Sequence, residues 1–312
     1  MLSVLIPVYN FNIVKLAGEI HNQAVGSGVA FEILILDDGS GLTYKEENRT
    51  VGQWKDVRYE ELETNIGRAR IRNKLAGMSR FPWLLFLDCD SRIVRPDYIV
   101  TYLALCKKEA VICGGRTYAD RRPEDPAHYL RWYYGRKREQ KSAADRNRRP
   151  WHSFMTNNFA MARSVFDRVA FDESIDRYGH EDTFFGFELQ RRNIPVIHID
   201  NPLVHTGLES NAEFLKKTRE GVSNLIMLMH HKTAYKNEMV SGIKLLRHFS
   251  WLQRFHLLAL FHLLFAWFEK RILPNLMSRH PNLLLFDIYK LGLMAETEKT
   301  YRDNELNSPS LN

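Results

Sequence analysis

The chain predicts an α/β fold with a mostly parallel central sheet and a helical C-terminal tail. Three observations lead there. Short apolar runs of β character alternate with helical stretches through the first third, two aspartate pairs close two of those runs, and no apolar stretch reaches the roughly 20 residues a spanning helix needs. In order, 2–7 reads as a buried strand and 13–25 as a helix. Residues 31–36 form a second strand, ending at Asp37-Asp38-Gly39-Ser40. A weaker strand at 57–62 precedes a helix over 66–78, and 83–87 is a strand closed by Asp88-Cys89-Asp90. Pro96 opens a helix over 97–108, because proline suits a first helical turn, and 111–113 is a further strand. Beyond a basic segment come a strand at 154–161, a helix over 181–192, extended pieces at 195–199 and 203–205, and a helix over 212–231. The expected organisation is one domain over 1–235 with a basic loop at 121–150, an amphipathic helical tail over 236–300, and a disordered end at 301–312.

With 312 residues, 45% of them hydrophobic, the chain can bury a core without disulfides. Cys89, Cys106 and Cys113 are odd in number and lack metal-ligand spacing, which fits a reducing cytosol. The first ten residues have no basic leader and meet Pro7 too early for a secretory core, so no signal peptide is expected. Net charge is +7, and residues 121–149 hold ten Lys or Arg against four Asp or Glu. Such a segment favours an anionic partner (nucleotide phosphate, lipid headgroup or nucleic acid) or is simply a solvated loop.

In open α/β sheets, ligands bind at the carboxyl ends of strands. Both aspartate clusters fall there, on one edge. Side chains two apart in extended backbone point the same way, so Asp88 and Asp90 present paired hard-oxygen ligands for Mg²⁺ or Mn²⁺; an acidic helix-capping turn is the plain alternative. Asp37 to Ser40 reads as a turn, or as a carboxylate placed to accept a base N–H. Arg68 and Arg72 share a helix face, suited to phosphate or to solvent. Glu181 and Asp182 open a helix, where acidic residues also serve as caps, and a carboxylate there could take a hydroxyl proton. His205, with His198 as its competitor, would bias a shared cation site toward Mn²⁺.

Taken in order, Ser3–Asn10 (SVLIPVYN), Ile35–Ser40 (ILDDGS), Asn65–Asn73 (NIGRARIRN), Leu87–Asp90 (LDCD) and Gly179–Asp182 (GHED) resemble family 2 glycosyltransferases. The GHED and VHTG pieces are most similar to the chondroitin-polymerase and β-1,4-galactosyltransferase-like branch. The resemblance implies the GT-A nucleotide-sugar fold and an inverting transfer from a UDP-linked donor to a glycan or lipid-linked acceptor, as in polysaccharide biosynthesis. It implies that Pro7, Tyr9 and Asp38 line the nucleoside pocket, that Arg72 contacts the nucleotide, and that Asp88 lies near ribose or metal. Asp90 and His205 would ligate Mn²⁺ or Mg²⁺, Asp182 would be the base, and Glu181 would hold a hydroxyl. Gly179-His180 stands where Trp-Gly-Gly is commoner, which unsettles the acceptor contacts.

A sugar-nucleotide pyrophosphorylase shares the class, but its glycine-rich phosphate loop is absent: Pro7-Val8-Tyr9-Asn10 follows the first strand instead. A non-catalytic basic membrane- or nucleic-acid-binding protein would gain nothing from acidic pairs at its ligand edge. No nucleic-acid module is recognisable around Trp132, Tyr133 and Tyr134, so no nucleic-acid partner is expected. Residues 244–271 join Lys244, Arg247, Arg254, Lys270 and Arg271 to Leu, Phe and Trp. That pattern suits a helix lying on a bilayer surface, or one packed on a partner. A cytoplasmic protein, peripheral at the inner face of the plasma membrane, is the expectation.

Overall fold

The first strands carry Val, Ile and Leu at successive positions, so both faces of their sheet must be covered. The computed structural model describes residues 1–106 and 109–307. Along the chain run β1 (Leu2–Val8), α1 (Val14–Gly26), β2 (Phe31–Asp37), α2 (Leu42–Asn48), β3 (Val57–Glu61), α3 (Arg68–Met78), β4 (Trp83–Leu87), β5 (Ser91–Arg92), α4 (Tyr98–Leu105), β6 (Val111–Cys113), β7 (Arg116–Thr117), α5 (Tyr129–Tyr134), α6 (Ala143–Asn147), β8 (Asn158–Ala162), α7 (Arg163–Val169), α8 (Glu181–Arg191), β9 (Val196–His198), β10 (Leu203–His205), α9 (Asn211–His231), α10 (Lys236–Gly242), α11 (Lys244–Arg254), α12 (Leu258–Leu276) and α13 (Leu283–Asn307). They pack as two units: residues 1–120, 135–176 and 181–207 form the first, and 121–134, 177–180 and the chain from 208 form the second.

The first unit holds a seven-stranded sheet of order β3-β2-β1-β4-β8-β6-β9. Strands β1 to β4 pair in parallel, β8 runs antiparallel to both neighbours, and β6 pairs parallel with β9. Alternate side chains feed two cores, as pleat geometry requires. Val4, Ile6, Ile33, Ile35, Leu85 and Leu87 join α1 and α4 on one face, while Leu5, Leu34, Leu36, Leu84 and Phe86 join α3, α7 and α8 on the other. On the second face Phe86 stacks on Phe159 at 4.7 Å and lies 5.4 Å from Phe166, while Phe171 stacks on Phe185 at 4.4 Å. That aromatic cluster fixes α8 against the strand that leads into Asp88.

A second sheet has three short strands in the order β5-β10-β7. Helix α4 stops at Leu105; the expected extension to Lys107 and Lys108 falls outside the described residues. Nor is the basic segment an open loop. Arg146 is buried, donating to the carbonyls of Cys113, Gly114 and Ile199, and Arg136 donates to those of Ala119 and Asp120.

In the second unit, Arg131 pairs with Glu209 at 3.1 Å, and Tyr134, Phe214 and Phe286 cluster at 5.4–5.6 Å. The Asn224 amide donates to the Gly179 carbonyl at 2.9 Å, holding 177–180 to α9. The stretch 244–271 is two helices rather than one. Leu257 N–H bonds the Leu252 carbonyl at 2.9 Å and His256 takes a left-handed φ of 56°, so α11 ends in a Schellman-type cap without glycine. Helix α13 continues through Asn307, where a disordered end was expected from 301; residues 308–312 lie outside the described ones.

Phe86→Ala is expected to lower unfolding free energy by about 3–5 kcal/mol, because it opens a cavity in the aromatic cluster. Urea denaturation followed by far-UV circular dichroism checks this.

Candidate active site

Parallel pairing brings the ends of β1, β2 and β4 to one edge. Asp38 N–H bonds the Val8 carbonyl at 2.7 Å, Asn10 N–H bonds Ser40 Oγ at 2.8 Å, and Asn10 Oδ1 accepts from Gly41 N–H at 2.9 Å. The Asp37–Ser40 turn is a true turn: Asp37 Oδ1 accepts from Ser40 N–H at 2.7 Å. Gly39 has φ 76°, and a Cβ there would sit 2.7 Å from the Thr64 backbone. Asp38 is buried and faces the loop before α3, accepting from Ile66 N–H at 2.7 Å and Gly67 N–H at 3.2 Å. Burial raises its pKa, those two amides oppose the rise, and Asp37 adds to it. Pro7 is half-buried within β1, and the next residue but one, Tyr9, stands 52% exposed. Its backbone lies against the Cys89 thiol, whose pKa is pushed up by burial and then by the flanking Asp90 and Asp88.

The two carboxylates after β4 meet different partners. Asp88 Oδ1 accepts from Arg72 Nη2 at 2.8 Å, and Oδ2 from Arg116 Nη2 at 3.2 Å. Asp90 Oδ2 lies 3.3 Å from His205 Nδ1. The three-stranded sheet arranges this. Antiparallel pairing sets His205 opposite Ser91, the residue after Asp90, and Thr206 returns two hydrogen bonds to the Asp90 carbonyl, at 2.8 Å from N–H and 2.9 Å from Oγ1. Burial opposes ionisation of Asp90, but His205, then Arg116 and Arg68, hold its carboxyl well below the usual range.

Asp90 Oδ1 is buried and has no hydrogen-bond partner among the described residues. A carboxylate oxygen with an unused lone pair beside an imidazole suits Mn²⁺, which accepts a mixed oxygen and nitrogen shell more readily than Mg²⁺ does. Among the described residues no third His, Cys, Asp or Glu completes a protein cage. The pair therefore fits an ion whose remaining positions go to water and a ligand's phosphates, the usual mode for such cations.

At the start of α8, Gly179 and His180 both take left-handed φ, 89° and 74°. Glu181 is buried, 3.6 Å from Arg68 Nη1 and 3.8 Å from Arg72 Nη1. Asp182 is half-buried and accepts from Thr183 N–H at 2.7 Å. Burial pushes its pKa up to about 6, with Glu181 adding to the rise and Thr183 and Arg68 opposing it. Arg72 thus joins Asp88 to Glu181, and the charge of Arg68 acts on Asp90 and Asp182 alike.

Two of the expected residues are engaged by neighbouring side chains. Arg72 is 3% exposed and pairs with Asp88 and Glu181, whereas Arg68, whose side chain is 54% exposed, reaches Glu181 from the same helix. His198 is a tether. A guanidinium only donates, so Arg146 at 2.9 Å makes Nδ1 the acceptor, and Nε2–H then bonds the Pro150 carbonyl at 2.9 Å. Burial and Arg146 push its pKa down to about 4.

Arg116 escaped the sequence reading. It reaches Asp88 and, at 3.4 Å, Glu139. The available signal was positional: β6 has the same sense as β4, and Gly114-Gly115 lead from its carboxyl end straight to Arg116.

Residues 3–170 match the family described as glycosyl transferase family 2. No curated protein matches the chain by sequence. Among solved structures, a mannosyltransferase, PcManGT from Pyrobaculum calidifontis in complex with GDP-Man and Mn²⁺, is 12% identical with TM-score 0.50, over 94% of this chain and 86% of that one. TarS 1–349 of S. aureus in complex with UDP-GlcNAc is 16% identical with TM-score 0.48, over 97% and 92% of the two chains. The likeness is one of fold, and that fold is GT-A.

Gly207 follows His205 by two residues, and a Cβ on it would lie 2.8 Å from Asp90 Cβ and 2.9 Å from Oδ2. Gly207→Ala should displace the Asp90 carboxylate and weaken Mn²⁺ binding by about 10–100-fold, the usual cost of disturbing a ligand's support. Electron paramagnetic resonance titration of Mn²⁺ with nucleoside diphosphate present measures it.

Proposed function

The chain belongs to glycosyl transferase family 2, and from that premise we propose an inverting transfer from a UDP-linked sugar to a hydroxyl of a glycan or lipid-linked acceptor. The observation that carries this reading is the gathering of Asp88, Asp90, Glu181 and Asp182 around Arg68, Arg72, Arg116 and His205 within one unit. In favour of it, three arginines suit an anionic diphosphate, and a carboxylate of raised pKa suits a proton acceptor.

In this reading Pro7, Tyr9 and Asp38 line the nucleoside pocket. Each Asp38 oxygen accepts one backbone amide and keeps capacity to accept a base N–H. Asp88, clamped between two guanidiniums, is placed for a ribose hydroxyl rather than for the cation. Arg68 takes the nucleotide contact first assigned to Arg72, and Arg72 positions Asp88 and Glu181. Asp90 and His205 would hold Mn²⁺, or less favourably Mg²⁺, which when bound would stabilise charge on the departing diphosphate.

Asp182 accepts the acceptor hydroxyl's proton as that oxygen bonds the anomeric carbon. The bond from that carbon to the phosphate oxygen breaks on the opposite face, and the nucleoside diphosphate leaves with the electron pair. Glu181 accepts a hydrogen bond from a sugar hydroxyl and orients it. A base with a pKa near 6 is ionised at neutral pH yet still basic enough to take the proton, worth about 10²–10⁴-fold.

Asp182→Asn should lower kcat by about 10²–10⁴-fold while nucleotide affinity stays unchanged, as read by nucleoside diphosphate release and by calorimetry. Equal turnover of variant and parent would reject Asp182 as the base. The carboxylate is protonated, and so useless, below its pKa; kcat/KM of the parent should therefore fall as pH is lowered through about 6. A pH–rate profile on a UDP-sugar, with chelator abolishing and Mn²⁺ restoring turnover, completes the test.

A further inference from the structure

Helix α12 is apolar on two sides, although packing uses only one, and α11 beside it carries an exposed Trp251 among cations. Leu246, Phe249, Leu252, Phe265, Ile272 and Leu276 are buried, and Phe265 sits so tightly over Gly292 of α13 that a Cβ there would meet its ring. The opposite side is open. Leu260 is 55% exposed, Leu263 68%, Trp267 62%, and on α11 Trp251 is 54%. These positions of α12 repeat at helical spacing, on the side where a helix surrounded by water would carry charge. A contiguous exposed apolar patch of this kind marks an interaction surface.

What borders the patch selects the partner. Lys244, Arg247, Arg254, Lys270 and Arg271 are all exposed, and the single acid between 244 and 271, Glu269, is engaged by Arg219 at 3.2 Å. The Arg271 guanidinium lies 4.7 Å from the Trp267 ring, at the boundary between apolar surface and water. Leucines and tryptophans flanked by long cationic side chains match the depth profile of a lipid surface, with acyl carbon beneath and anionic headgroups beside. A second copy of the chain fits poorly, since a two-fold contact would bring the cations bordering one patch up to those bordering the other. Spanning is a different matter: no helix among the described residues is long and apolar enough to cross a membrane.

We propose that the α11–α12 face docks in the plane of an anionic lipid bilayer, with Trp251, Leu260, Leu263, Leu264 and Trp267 entering the headgroup boundary. The inference is independent of the sugar-transfer reading.

The test is flotation of the full chain with phosphatidylcholine vesicles with and without phosphatidylglycerol. Binding is expected only with the anionic lipid, weakening as salt is raised. Leu263→Ser combined with Trp267→Ser should lower partitioning by at least about tenfold. Arg247→Glu combined with Lys270→Glu should lower it too and flatten its salt dependence. The charge-reversal pair leaves every apolar contact in place, so it carries the test if the apolar variant melts early. Failure to float with anionic vesicles at low salt, or undiminished flotation of a folded variant, overturns the proposal. So does a dimer by light scattering that Leu263→Ser with Trp267→Ser splits into monomers.

Discussion

Carboxylates crowded at one sheet edge repel one another, and the candidate site exists only because that repulsion is cancelled locally. Arg72 is the centre of the cancellation. It is buried beneath the rim, 2.8 Å from Asp88 and 3.8 Å from Glu181, so one guanidinium ties the strand that ends β4's run to the first turn of α8. Arg116 closes the other side of Asp88, and His205 stands beside Asp90. At Asp182 burial, with Glu181 beside it, outweighs Thr183 and Arg68, and its pKa is raised. One cluster thereby contains carboxylates of opposite character: Asp90 held ionised, Asp182 poised to gain a proton.

Two mechanical features support that arrangement. Stacked phenylalanines on one sheet face fix α8, and the small three-stranded sheet fixes the pair of Asp90 and His205. The strands of that sheet are two or three residues long. Their value lies in register: β10 carries His205, β7 carries Arg116, and β5 begins directly after Asp90. Gly207 allows the backbone to pass Asp90 without a clash.

The larger elements were legible because their signals are periodic. Apolar runs gave β1, β2 and β4, and the acidic clusters marked their carboxyl edge. Helices α3, α8 and α9 followed from their patterning; the Ser210 cap of α9, which accepts from Glu213 N–H, went unread. Other features carry no such signal. Strands β5 and β7 are too short to show a period. Helix α2 is almost wholly polar, with only Asn48 buried. The break between α11 and α12 uses His256 in a conformation that usually calls for glycine. Arginine was the hardest residue to place. Arg72, Arg131 and Arg146 read as solvent or ligand cations, yet all three are buried, because their partners come from distant segments. The same blindness hid Arg116.

The thiol lodged between Asp88 and Asp90 bears on where such a site can operate. Cys89 is half-buried; desolvation first, and the two flanking carboxylates second, disfavour a thiolate there, so the sulfur keeps its hydrogen. Burial likewise pushes Cys106 up to about 11 and Cys113 up to about 12. Electrophiles and peroxides attack thiolates far faster than thiols. Burial, and after it the acidic flank, hold the Cys89 sulfur as a thiol, so the carboxylate pair encloses a sulfur in its slow-reacting form.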